Sequence, residues 1–354
     1  MHSTPAAAAL RPAAAPATRS VAMWLFLSAA MVFAAAVIGA ITRLTESGLS
    51  IVEWAPITGT LPPLSDQAWA DAFTAYKATP QYRYMNAGMS LEAFQQIFFW
   101  EWLHRFWDRL TGLVFAAGLV WFALRREVDW TLGSRLFGLL VLGGAQGVLG
   151  WMMVASGLNE RPSVSHYLLA AHLGLAVLLY ALILWAAYGL VLRRLGDFVR
   201  APSLRRHASI AIACVAVTMC WGAFVAGLDA GQVYNTFPLM DGRLLPPEAF
   251  SIIPAWLNVF DNTALVQFIH RWLAIGTSLV VLALAVRCSR TPVVGWGHLA
   301  GLMVVVQVCL GISTLLTQVP VWLGAMHQAG ALLLLALLLA LRFVARPVSE
   351  SRLR

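Results

Sequence analysis

The sequence predicts an all-α membrane protein of eight transmembrane helices, arranged as two parallel-repeat four-helix bundles. A pseudo-two-fold axis along the membrane normal is expected to relate them. Three observations carry this. Of 354 residues, 60% are hydrophobic and only 11% charged, with a mean hydropathy of +0.74, which excludes an ordinary soluble domain. Eight stretches stay apolar for roughly 20 residues, the length that spans the hydrocarbon core as a helix. The second four stretches also repeat polar landmarks of the first four. The runs are continuous rather than alternating, which argues against strands.

In order, the helices are expected at 21–41, 96–124, 134–155, 165–190, 208–228, 263–287, 295–317 and 322–344. Residues 1–20, rich in Ala and Pro, read as a disordered cytoplasmic tail. The N-terminal half covers 21–192, a cytoplasmic linker 193–207, the C-terminal half 208–344, and a second tail 345–354. With the N-terminus inside, sixteen Lys and Arg fall in inner segments and five in outer ones. By the positive-inside rule both termini are cytoplasmic. The net charge of +8 is mostly this bias, so no nucleic-acid partner is implied; the partner is the lipid bilayer. Cys214, Cys220, Cys288 and Cys309 lie in or at the inner ends of helices and form no CxxC. No disulfide or thiolate metal site is expected.

The first and fifth helices are each followed by a long outer loop containing Leu-Pro-Pro. Around that match the repeat extends. Gly39-Ala40 pairs with Gly222-Ala223, and His104-Arg105 with His270-Arg271. Gln146 and Gly150 pair with Gln307 and Gly311, and His172 pairs approximately with His327. Four helices per repeat is an even number, so both halves have one orientation and are related by an axis along the membrane normal. The glycines of LGGAQGVLG, Gly143 to Gly150, read as sites of close helix packing.

Of eight histidines, His2 and His207 read as solvated, and His166 and His298 as interfacial. The remaining four, His104, His172, His270 and His327, fall on the second, fourth, sixth and eighth helices. Each lies about 8–14 Å from the outer end at 1.5 Å per residue. One such histidine is as easily a packing residue as a ligand, but four at repeat-matched positions favour ligands. Two helices of a four-helix bundle, each presenting a histidine inward, make the axial pair of one haem. Each half would then hold one haem; a zinc site would lack its third ligand.

The halves differ beside the first histidine. Glu101 stands three residues before His104, and Gln267 three before His270. Glu101 and His104 share a helix face, which points to proton-coupled chemistry in the first half alone. The plainer alternative is that Glu101 pairs with Arg105 or Arg109. Arg43, Arg105, Arg109 and Arg271 are candidate partners for haem propionates. Gln146 and Gln307 would orient a ligand histidine or join helices. Two other functions fit the composition. One is a di-haem b-type membrane cytochrome relaying electrons between quinone and a partner, which needs no acid in one half only. The other is a parallel-repeat transporter, which favours helices broken by Gly and Pro over a layer of histidines.

Taken together, GAITRLTESGLSIVEWAPITGTLPP (39–63), IFFWEWLHRFWDRLTG (97–112), GGAQGVLGWMMVASGL (143–158), the AHLG of the fourth helix, QFIHRW (267–272), QVCLGISTLL (307–316) and MHQAGA (326–331) resemble the haem A synthase family. The likeness reaches nearly all eight helices. Lacking outer-loop cysteines, the chain resembles the proteobacterial and mitochondrial branch. The resemblance implies that His104 and His172 hold the substrate haem o, and His270 and His327 a permanent haem b. It implies oxidation of the haem C8 methyl to a formyl group through hydroxylation, giving haem a, with water as the proposed oxygen source and Glu101 as acid/base. It further implies a bacterial inner membrane protein, a homo-oligomer, and contact with haem o synthase, the protohaem farnesyltransferase. The electron acceptor is not implied.

Overall fold

The computed structural model describes residues 16–55, 58–159, 162–195 and 201–345. Most of the expected N-terminal tail, nearly all of the C-terminal one and part of the linker lie outside these. Eleven α-helices follow in order: α1 Pro16–Leu44, α2 Asp66–Lys77, α3 Pro80–Tyr84, α4 Leu91–Leu124, α5 Trp130–Asn159, α6 His166–Leu195, α7 Pro202–Gly227, α8 Asn258–Asp261, α9 Thr263–Cys288, α10 Val294–Leu316 and α11 Val321–Val344. Eight of them (α1, α4, α5, α6, α7, α9, α10 and α11) are long and apolar enough to cross a membrane. They correspond one to one with the expected stretches. Among the described residues the only β pairing is an isolated bridge between Met240 and Arg243.

Several helices run past the apolar segments because caps, not hydropathy, set their ends. Ser90 accepts a hydrogen bond from the Ala93 amide to start α4, and Asp129 from Leu132 to start α5. Pro202 opens α7, where its missing N–H costs nothing. The helix at Pro16 begins inside the stretch expected to be a tail, and the gap between α6 and α7 is shorter than the expected 193–207 linker.

In the first half α1 packs on α4 and α6, and α5 on α6. In the second, α7 packs on α9 and α11, and α10 on both α9 and α11. The halves meet through α1 against α11, α6 against α7, and α6 against α11. A continuous apolar core at this junction includes Leu25, Leu136, Leu284, Leu335 and Leu338. One seam differs between the halves: α9 and α10 pack extensively, α4 and α5 sparsely. In the first outer loop, α2 places Phe73 and Tyr76 against Phe94 and Phe98 of α4, with Tyr82 of α3 packed beside them.

Candidate functional site

Each of the four helix histidines lies against a glycine of a neighbouring helix. A Cβ at Gly39 of α1 would stand 2.9 Å from His104 Nε2, and one at Gly150 of α5 would stand 3.0 Å from His172 Cε1. In the second half a Cβ at Gly222 of α7 would be 3.2 Å from His270, and one at Gly311 of α10 would be 2.8 Å from His327. The imidazoles therefore sit flush on helix backbone, with space only for hydrogen. All four are half-buried.

The glutamines fix the second histidine of each half. Gln146 Nε2 lies 3.3 Å from His172 Nε2 and donates to the His172 carbonyl at 3.0 Å. Gln307 Nε2 lies 3.1 Å from His327 Nδ1 and donates to the His327 carbonyl at 2.8 Å. The two expected roles, orienting a histidine and joining helices, are one interaction here. His270 Nδ1 is 3.2 Å from the Thr218 carbonyl, and His104 Nε2 is 3.5 Å from Asp108. Each half thus carries two histidines, each seated on a glycine of a neighbouring helix.

These sites fit a haem. Each offers two imidazoles, and among the described residues no three His, Cys, Asp or Glu side chains converge as a tighter ion site would need. His172 Nδ1, Gln146 Oε1 and Gln307 Oε1 are buried without a hydrogen-bond partner, and such groups in a low-dielectric interior call for one.

Glu101 is 2% exposed, and its carboxylate takes three hydrogen bonds. Arg105 donates to Oε1 at 2.6 Å, while the Ser50 hydroxyl and the Ile51 amide each donate to Oε2 at 2.7 Å. This is the pairing with Arg105 named as the plainer alternative. Gln267 occupies the matching place. Its Oε1 accepts from Arg271 at 2.8 Å, while its amide nitrogen donates to the Ala230 carbonyl. The acid faces donors and the amide faces an acceptor, so the loops explain part of the difference between the two residues.

The arginines hold the outer loops. Arg105 donates to the Ile51 and Glu53 carbonyls, Arg109 to Ala55, and Arg271 to Tyr234 and Thr236. Arg43 pairs with Asp229 at 2.8 Å, joining the end of α1 to the loop after α7. Sequence reasoning missed Asp229, Ser50 and Asp108. Only Asp108 carried a local signal, its i,i+4 spacing from His104. His166 binds Asp261 at 2.7 Å. His207, expected in solvent, instead lies on α7 with its ring 3.0 Å from the Val280 carbonyl of α9. The glycines expected to pack helices closely do so only at Gly150: a Cβ at Gly143, Gly144 or Gly147 would meet nothing within 4 Å.

An eight-helix membrane protein with two glycine-backed histidines in each half has the donor set of a haem-binding membrane protein. Comparison narrows the class. Residues 22–339 match the cytochrome oxidase assembly protein family. The chain is 52% identical to the haem A synthase of Rhodospirillum centenum over 99% of its own length and 94% of that protein. It is 47% identical to the haem A synthase of Nitrosospira multiformis over 89% and 90%. For that of Parvibaculum lavamentivorans the figures are 45%, 88% and 90%. The chain belongs to the haem A synthase family of cytochrome oxidase assembly proteins.

Proposed function

We propose that the protein is an oxidoreductase that converts haem o to haem a for terminal oxidases, by oxidising the C8 methyl to a formyl group. The observation that carries this reading is the pair of matched histidine sites of which only the first has a buried carboxylate, Glu101, three residues from its ligand. With water as oxygen donor the balance is one methyl and one water giving one formyl, four protons and four electrons. The protons need a base and the electrons an acceptor.

His104 and His172 would hold the substrate, with Gly39 and Gly150 fixing their rings. Glu101, one helical turn before His104, would take protons or orient the attacking water. Arg105 and the Ser50–Ile51 segment position that carboxylate. His270 and His327 would hold haem b, which supplies one-electron redox chemistry when bound. Gln267 leaves that half without an acid, in keeping with electron transfer alone. The sparse α4–α5 seam belongs to the half that must exchange its haem, and the packed α9–α10 seam to the half that need not. The reading includes a bacterial inner membrane location with cytoplasmic termini, homo-oligomers, and delivery of haem o by the farnesyltransferase that makes it.

Glu101→Gln should keep the b-type spectrum and bound haem o while haem a falls below detection. Glu101→Asp should retain activity with a displaced acid limb of the pH–rate profile, which a purely structural role would not move. Normal haem a output from Glu101→Gln would remove the proton-transfer role.

A further inference from the structure

We propose that the substrate haem enters and leaves the first half sideways from the lipid, through the seam between α4 and α5, and that Gly143 and Gly147 hold this seam open. The inference rests on the assignment of the substrate to the first half.

Gln146 and Gly150 touch His172 and so define the face of α5 turned to the site. Gly143 and Gly147 lie on that same face by the i, i+3, i+4, i+7 spacing of a helix. Neither packs against anything: a Cβ at either would find no atom within 4 Å. The matched stretch of α10, aligned on Gln307 and Gly311, has Val304 and Val308 at these places, and Val304 is buried. The second half thus fills with valine what the first leaves open. Its own glycines act in the opposite sense. A Cβ at Gly297 would stand 2.4 Å from Cys288 Cβ, and one at Gly301 would stand 3.0 Å from Ala285 Cβ, so these two let α10 close onto α9.

Burial follows the same division. From Leu140 to Ser156, α5 has no buried residue, whereas α10 buries Gly297, Ala300, Gly301, Val304 and Thr314. At its outer end the seam continues into a groove lined by Trp54, Arg105 and Trp151. The buried, partnerless His172 Nδ1 and Gln146 Oε1 belong to the same site. Helices in lipid are held by close packing and interhelical hydrogen bonds rather than by the hydrophobic effect. A helix that forgoes packing along one seam can part from its neighbour at little cost. Haem o carries a long isoprenoid tail, and such a solute dissolves in the acyl region. Through this seam the ring reaches His104 and His172 while the tail stays in lipid. A haem that never leaves needs the closed seam of α9 and α10.

The test uses the full chain with its resident haem b, reconstituted into vesicles and mixed with phosphatidylcholine vesicles carrying haem o. Transfer is followed by separating the vesicles and extracting the haems. Wild type should take up haem o while keeping its haem b. Gly143→Val/Gly147→Val, which copies the second half, should keep the b-type spectrum and slow transfer about tenfold or more, the scale of a crowded passage. Gly143→Ala/Gly147→Ala should slow it less, and serves if the valine variant does not fold. Val286→Trp, at an α9 residue that is 74% exposed, should leave transfer unchanged. Unchanged transfer in the valine and alanine variants, or equal slowing by Val286→Trp, would overturn the seam as the route. Normal transfer without haem a formation would count against the catalytic reading and leave the seam standing.

Discussion

His104, His172, His270 and His327 each press against a glycine, so one added methyl at the glycine should displace an imidazole. Gly311→Ala would set a Cβ 2.8 Å from His327 and should abolish the b-type absorption spectrum. Gly39→Ala would set one 2.9 Å from His104 and should spare that spectrum while lowering haem o retention. Loss of haem b from the Gly39 variant alone would reverse the assignment of the halves. At this scale the histidines and glutamines were legible because both recur in the repeat. The contrast between Glu101 and Gln267 was also legible, but not its local cause. Reading it requires knowing that one side chain meets the Ser50 hydroxyl and Ile51 amide, and the other the Ala230 carbonyl. Those partners lie 37 to 51 residues away, in loops whose paths no periodicity specifies.

Between elements, the two seams make opposite demands on glycine. Gly301→Val should wedge α10 from α9 and destabilise the second half by about 1–3 kcal/mol, the range for overpacking. It should also weaken haem b binding, read from thermal unfolding and the absorption spectrum. Gly138→Ala on α5, where a Cβ meets nothing within 4 Å, should be neutral or stabilising by up to about 1 kcal/mol from helix propensity alone. Equal destabilisation by both would mean that α5 packs as α10 does. A glycine-rich helix reads in sequence as a close-packed one, because Gly does lower the distance of closest approach. The same residue leaves a gap when the neighbouring helix stands off, and only the neighbour's position distinguishes the two. Helix existence was legible because hydropathy sums over some twenty residues. Helix ends moved by several residues because single caps such as Ser90 and Pro202 decide them.

For the whole molecule, the two halves are joined by the α1–α11, α6–α7 and α6–α11 contacts. Arg43–Asp229 and His166–Asp261 add ties at the outer end. The partner exchange, in which α1 meets α11 as α7 meets α6, supports the proposed two-fold repeat. In sequence Arg43 is one of four candidate propionate partners, and its link to Asp229 of the other half cannot be read from one helix end. The central claim is that two histidine pairs hold two different haems, one of them converted. The most direct measurement is chromatography of the non-covalent haems extracted from protein purified out of cells that make haem o. The expected result is haem b together with haem o, haem a or an oxidised intermediate, with the latter group lost in His104→Ala and haem b lost in His327→Ala. Haem b alone, in wild type and in such cells, would contradict the claim and leave a di-haem electron-relay cytochrome.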